Sequence, residues 1–234
     1  MSAGAADARQ FERSLQKRFR RPLWRPFVLA LQRYGLLREG DRVAVCLSGR
    51  LPSLALAKLF EELHRHSLYP FELSYLHVQD REEEQALPAL FDALDLRVDR
   101  VPLRGTVEQT LLEEAERQGV SKLAVAACMD DVNETTLHCL LREGRIATLP
   151  PIEQAAPTVS WIRPLYCIHR RELAALNRYH GLDLPLRGRS ALRLAEESAL
   201  LEELTQANPN ADISLFRAMH NAQADTFPKT DQEP

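Results

Sequence analysis

Two short stretches of this 234-residue chain bring together side chains able to handle a charged ligand. In Ser48-Gly49-Arg50-Leu51-Pro52-Ser53, two hydroxyls, a guanidinium and a glycine follow the apolar run Val43 to Leu47 and precede a helical pattern over 54–66. A strand entering a helix through such a turn aims backbone N–H groups and the positive helix end at one point, which suits a phosphate. The same residues also suit an ordinary strand–helix turn, with Ser48 or Ser53 as the cap and Pro52 in the first turn. The second stretch is Cys128-Met129-Asp130-Asp131, followed by Glu134, at the head of another helical pattern after KLAVAA (122–127). Its carboxylates suit a residual metal, or they complement the helix dipole at ~0.3–1 kcal/mol each. Cys128 reads either as a thiol activated by a helix N-terminus or as a small residue filling space.

The remaining thiols narrow the chemistry. Cys46, Cys128, Cys139 and Cys167 are scattered, and no two form a CxxC pair. Metal and iron–sulfur sites usually show close ligand spacing, so no metal and no Fe–S cluster are expected. Cys46 and Cys139 fall in apolar surroundings and read as buried small hydrophobes.

Charge is unevenly placed. The net formal charge is -3, which argues against a generally basic nucleic-acid binder. Residues 1–50 nevertheless hold eleven Lys or Arg against four Asp or Glu, and Arg163 to Arg193 holds seven Arg against Glu172 and Asp183. The segment QDREEE, residues 79–84, is acidic. Two basic regions set against an acidic one suit a polyanion-binding face, or else a set of solvated helix faces.

The elements that must position these residues alternate. A basic helix with apolar Phe11, Leu15, Phe19 and Phe27 breaks at Pro22 and Pro26 and then resumes. Strands are predicted over 42–47, 71–78, 97–102, 122–127 and 161–165. Helices are predicted over 54–66, 82–94, 106–118, 130–143, 169–179, 190–206 and 212–222. This alternation predicts an α/β fold, a parallel sheet with helices on both faces, whose ligand site lies at the carboxyl ends of the strands. The boundaries read as a basic N-terminal helical extension (1–38), an α/β domain (39–187), C-terminal helices packed on that domain (188–222) and a disordered tail (223–234). No apolar run of ~18 residues indicates a membrane span, and a cytoplasmic location is expected.

Five stretches in order resemble the tRNA 2-thiocytidine synthetases, the TtcA-type family of PP-loop ATPases. VAVCLSG is similar to the opening of that family's phosphate-wrapping loop, and LQKRFRRPLWRPFVLAL to its basic first helix. MDDVNETTLHCLLREGRIATLPP resembles its helix headed by paired aspartates and closed by a double proline. IRPL and LFRAMHNA are similar to its late strand and terminal helix. The resemblance implies a Rossmann-like sheet of the adenine nucleotide α-hydrolase (HUP) type, ATP or AMP as ligand, tRNA as partner and a homodimer. It also implies that Lys17, Arg18, Arg20 and Arg21 face tRNA, joined by Arg163, Arg170 and Arg171 of the second basic stretch.

Departures from the family pattern fall on its chemistry. SGRLPS stands where the family has SGGxDS, so Arg50 replaces a glycine and Pro52 an aspartate expected near Mg²⁺. Ala127 and Cys128 stand where a His pair precedes the aspartates. Neither family cysteine pair has a counterpart, and no catalytic residue is assigned. Three readings remain open: a degenerate, catalytically silent member that keeps tRNA or nucleotide binding; an active ATP-dependent tRNA-modifying enzyme in which Arg50 neutralises phosphate charge; and a protein-interaction module.

Overall fold

The computed structural model describes residues 8–79, 87–187 and 193–221. These form two compact units. The first comprises residues up to Met129 together with Pro150–Leu192, and the second Asp130–Leu149 with the residues from Arg193 onward. The units are divided differently from the boundaries read at 38/39 and 187/188: the basic N-terminal helices group with the sheet, and the late helices group with residues 130–149.

The first unit is a six-stranded sheet. Its strands are β1 (Arg42–Cys46), β2 (Glu72–Gln79), β3 (Asp99–Pro102), β4 (Lys122–Ala124), β5 (Ile152–Ala156) and β6 (Val159–Ile162), in the order β3-β2-β1-β4-β6-β5. All pairings are parallel except β5–β6. Val43, Ala44 and Val45 are all buried because the sheet is covered on both sides. Val43, Val45 and Ala124 face one apolar cluster, whereas Ala44, Leu76 and Leu123 face the other. The expected α/β parallel sheet is present, with the α/β Rossmann-like topology.

Helices α1 (Ala8–Gln16), α2 (Arg25–Arg33), α3 (Leu51–His66), α4 (Leu87–Ala93), α5 (Val107–Gln118) and α7 (Arg170–Tyr179) complete this unit, and α6 (Met129–Arg142) begins in it. The basic helix does break near its prolines. Residues Arg20–Trp24 form a π-helical turn in which the Phe19 carbonyl accepts from the amides of Leu23 (2.9 Å) and Trp24 (3.2 Å). Pro22 has no N–H to offer, and the widened turn accommodates it. Phe11, Leu15, Phe19, Leu23 and Phe27 all point into the core, and Phe27 meets Phe60 of α3 edge-on at 5.3 Å. Helix α1 is also fastened to α3 by charge. Lys58, 1% exposed, reaches Glu61 Oε2 at 2.6 Å and Glu12 Oε1 at 3.3 Å, while Arg65 pairs with Glu12 and Gln16 Nε2 donates to Glu62 at 2.7 Å.

Helix α5 has the clearest termini. Thr106 and Gln109 form a reciprocal capping box, and Gly119, at φ +68°, closes the helix in the left-handed region. Several predicted elements differ from the observed ones. The strand expected over 122–127 ends at Ala124. The strand expected over 161–165 runs instead over Val159–Ile162 because Pro164 stops it, and β5 was not anticipated. The front of the helix expected over 82–94 and the tail 223–234 lie outside the described residues.

The second unit contains the rest of α6, α8 (Ala195–Ala207) and α9 (Ala211–His220). Asn133 Nδ2 donates to the Asp212 carbonyl at 2.9 Å, His138 Nδ1 lies 2.9 Å from Glu197 Oε1, and Thr136 Oγ1 donates to Thr148 at 2.8 Å. No helix among the described residues is long and apolar enough to cross a membrane.

Candidate functional site

Strands β1 and β4 lie side by side, with Val45 opposite Ala124, and the chain leaves β1 toward one sheet edge and β4 toward the other. The loops that follow them, 47–50 and 125–128, open from this switch point, where α/β sheets hold ligands. Leu47, which begins the first loop, is held from two sides. Its amide donates to the Leu76 carbonyl at 2.7 Å, and buried His77 donates from Nδ1 to its carbonyl at 2.8 Å. His77 also meets Phe91 edge-on at 5.4 Å. Sequence reasoning passed over His77, although a lone polar residue in an apolar strand end is a readable signal.

The loop closes on itself. Ser53, 1% exposed, accepts at Oγ from the Ser48 amide (3.1 Å) and the Ser48 hydroxyl (3.2 Å), and donates to the Arg50 carbonyl at 2.9 Å. Arg50, extended at the N-cap of α3, turns its Nη1 back to the Ser48 carbonyl at 3.4 Å. Gly49 has φ +70°, and a Cβ there would stand 2.4 Å from Cδ2 of Leu87. The glycine is therefore required by backbone conformation and by the leucine lying against it. The first-turn donors of α3 are also engaged. Leu51 donates to the Pro185 carbonyl at 3.1 Å, Pro52 has no N–H, and Ser53 and Leu54 donate to the Arg50 carbonyl. The residues that supply Pro185 are pinned beneath, since Asn177 Nδ2 donates to Leu184 O at 2.9 Å and Leu182, Leu184 and Leu186 pack on the core.

In the second loop, Cys128 is buried within the apolar cluster that includes Val45 and Ile162, in keeping with the space-filling reading. Asp130 and Asp131 occupy the first turn of α6, where they complement its dipole, and Glu134 is buried one turn on. Cys128 belongs to the first unit and these three carboxylates to the second.

The four thiols do not match the donor set of a cluster. No group of three or more His, Cys, Asp or Glu able to hold a metal occurs among the described residues. Cys46 is partly buried at the end of β1, and desolvation pushes its thiol up to about 12. Burial also raises Cys139 and Cys167. All three surroundings disfavour the thiolate that iron requires.

The basic candidates separate into two kinds. Lys17, Arg18, Arg20 and Arg21 are all exposed along the end of α1 and the π turn, with Arg25 just beyond. Arg171 is exposed and Arg170 half-buried on α7. Arg163 differs from its expected role as an RNA contact. It is 7% exposed, and its guanidinium donates to the Pro150 carbonyl (2.6 Å) and to Glu153 (2.8 Å), latching the start of the β5–β6 hairpin.

No family model matches the chain. Curated relatives do. Each is a tRNA-cytidine(32) 2-sulfurtransferase: from Teredinibacter turnerae, 33% identical over 160 residues; from Shewanella amazonensis, 27% over 237; and from Geobacter sulfurreducens, 29% over 230. The chain is thus similar in sequence to TtcA-type proteins over most of its length. The match spans about half (52%) of the first relative, 72% of the second and 87% of the third, and covers 58%, 88% and 83% of this chain. Among solved structures, the U34-tRNA thiolase NcsA of Methanococcus maripaludis, described with its [4Fe-4S] cluster, aligns at TM-score 0.65 and 18% identity. The alignment covers 84% of this chain and 77% of that one, a likeness of fold.

Proposed function

We propose that this TtcA-like chain binds tRNA on the cationic face of α1, the π turn and α2, and does so without cluster-dependent sulfur transfer. Both its relatives and its structural neighbour act on tRNA. The observation that carries the second half is the self-closed loop between β1 and α3. The amides of Ser48, Leu51, Ser53 and Leu54 already have acceptors within the chain. Arg50 fills the place of a second glycine, and the thiols do not gather. Nucleotide binding in this reading is weak and indifferent to Mg²⁺, because no carboxylate follows Gly49 in the loop.

The RNA half is tested by measuring tRNA affinity against salt. Four exposed cations, each neutralising one phosphate, give a log–log slope of roughly -3 to -4 at ~0.7–0.9 per contact. The R18A/R20A/R21A variant is expected to flatten that slope to about -1. Absence of tRNA binding at low salt would overturn the reading. The catalytic half is tested by a thermal-shift series with ATP, AMP and Mg²⁺ and by nucleoside analysis of tRNA incubated with ATP and a sulfur donor. Tight nucleotide binding abolished by EDTA, or appearance of 2-thiocytidine, would instead establish the alternative, an active enzyme in which Arg50 leaves Ser48 to neutralise phosphate.

A further inference from the structure

Within the first unit, Tyr179 closes α7 beside the π turn with 45% of its surface exposed. The ring is held on several sides. Phe19 meets it edge-on at 5.6 Å, and His180 stands perpendicular to it at 5.0 Å. His180 is itself locked: its ring stacks on Phe11 at 4.6 Å, and its Nε2 lies 2.9 Å from Ser14 Oγ. The Arg18 guanidinium lies over the Tyr179 ring, 5.1 Å from its centroid. A large ring has thus been left in water but held by buried Phe19 and half-buried His180, on a surface whose exposed cations include Arg13, Lys17, Arg20, Arg21 and Arg178.

Such an arrangement matches one ligand chemistry. Phosphates take the guanidinium and ammonium groups, while an unstacked base, planar and apolar on its faces, takes an aromatic ring or an arginine plane. A duplex keeps its bases stacked inside and has none to offer. We infer that the Arg18–Tyr179 pair is a stacking platform for an unpaired nucleobase of single-stranded RNA. The inference rests on the tRNA-binding reading above and adds to it a non-ionic contact. Rigidity matters here because a ring already fixed by Phe19 and His180 loses little freedom when a base lands on it.

The test uses the full chain with two fluorescent RNAs, an unstructured 12-nucleotide strand and a 12-base-pair duplex, titrated at several salt concentrations. Tyr179→Ala is expected to weaken binding of the single strand roughly 5- to 100-fold, the range of one lost base stack. Its salt slope should be unchanged, and duplex affinity should move less than twofold. Tyr179→Phe retains the ring and should bind like the parent, which separates loss of the ring from loss of the hydroxyl, while the duplex affinity of Tyr179→Ala reports any general disturbance of the surface. Equal single-strand affinity for Tyr179→Ala and the parent overturns the inference, as does a loss in Tyr179→Phe matching that in Tyr179→Ala. If Arg20→Ala and Arg21→Ala flatten the salt slope while Tyr179→Ala does nothing, only the platform falls. If the parent binds neither RNA, the tRNA-binding reading falls and takes the platform with it.

Discussion

Lys58 is the residue whose loss should reveal most about how the cationic helix is held. Its ammonium is shielded from water and lies between Glu61 on its own helix and Glu12 on α1. Replacing it with Met keeps the stem packed but leaves two carboxylates facing one another. Breaking a buried pair from one side typically costs about 3–5 kcal/mol. Here Glu61 is 18% exposed and Glu12 keeps Arg65, so about 2–4 kcal/mol is expected, near the lower end of that range. At ~2–4 °C per kcal/mol for a chain of this size, the melting temperature should fall by roughly 5–15 °C. The pH dependence provides the sharper check. Burial already raises the Glu61 carboxyl above its ordinary value, while Lys58 pulls it down. Without Lys58 the folded value rises further above the unfolded one, so the folded state binds the proton more tightly. The stability this contributes is present below the unfolded value and lost as pH rises through the folded one. The deficit of Lys58→Met should therefore be small near pH 4 and grow toward pH 7, and K58M/E61Q should recover part of it. Urea unfolding across that range measures both. A deficit that does not change with pH, or a double variant no better than the single, would refute the reasoning.

Three further outcomes follow from the same geometry. Arg163→Ala removes charge-assisted bonds to Pro150 O and Glu153, which should lower stability by about 2–3 kcal/mol in urea melts while leaving the salt slope of RNA binding unchanged. Gly49→Ala forces a side chain into the left-handed region and against Leu87; a loss of about 1–3 kcal/mol is expected from thermal melts, and an unchanged melting temperature would show that the loop relaxes freely. In native protein at pH 8, iodoacetamide should leave Cys46 and Cys128 unmodified, the first because burial suppresses its thiolate and the second because it is enclosed by the core; peptide mapping after brief exposure reads this directly.

The architecture was legible because each buried strand of the parallel sheet announces itself as an apolar run between helical patterns. Strand β1 was legible to within one residue, and so was helix α5, although its Thr106–Gln109 box emerged only from the structure. Strand β5 was not, because Ile152–Ala156 is a half-polar edge strand whose partner β6 was misplaced toward Pro164. Arg163 misled for a general reason: composition counts a guanidinium as a surface charge, whereas only the fold reveals a carbonyl and a carboxylate waiting for it inside. The Pro185 contact was not legible either: the alternation Leu182, Leu184, Leu186 indicates only that the segment packs against apolar surface. Nothing local says that the carbonyl between the last two would find the first amide of a helix more than a hundred residues earlier.

The π turn has an effect that reaches past its own five residues. Each α-helical residue advances the side chains by about 100°, so one residue too many at Arg20–Trp24 resets the angular phase of everything downstream. The arginines ahead of the widening and the apolar anchors behind it are thereby indexed separately. A homologous chain that lost one residue at this point would gain a straighter rod but would swing its guanidinium groups a quarter-turn or more away from their present bearing. The number of residues in this turn, more than the identity of any single arginine, is what keeps the positive charges pointed outward.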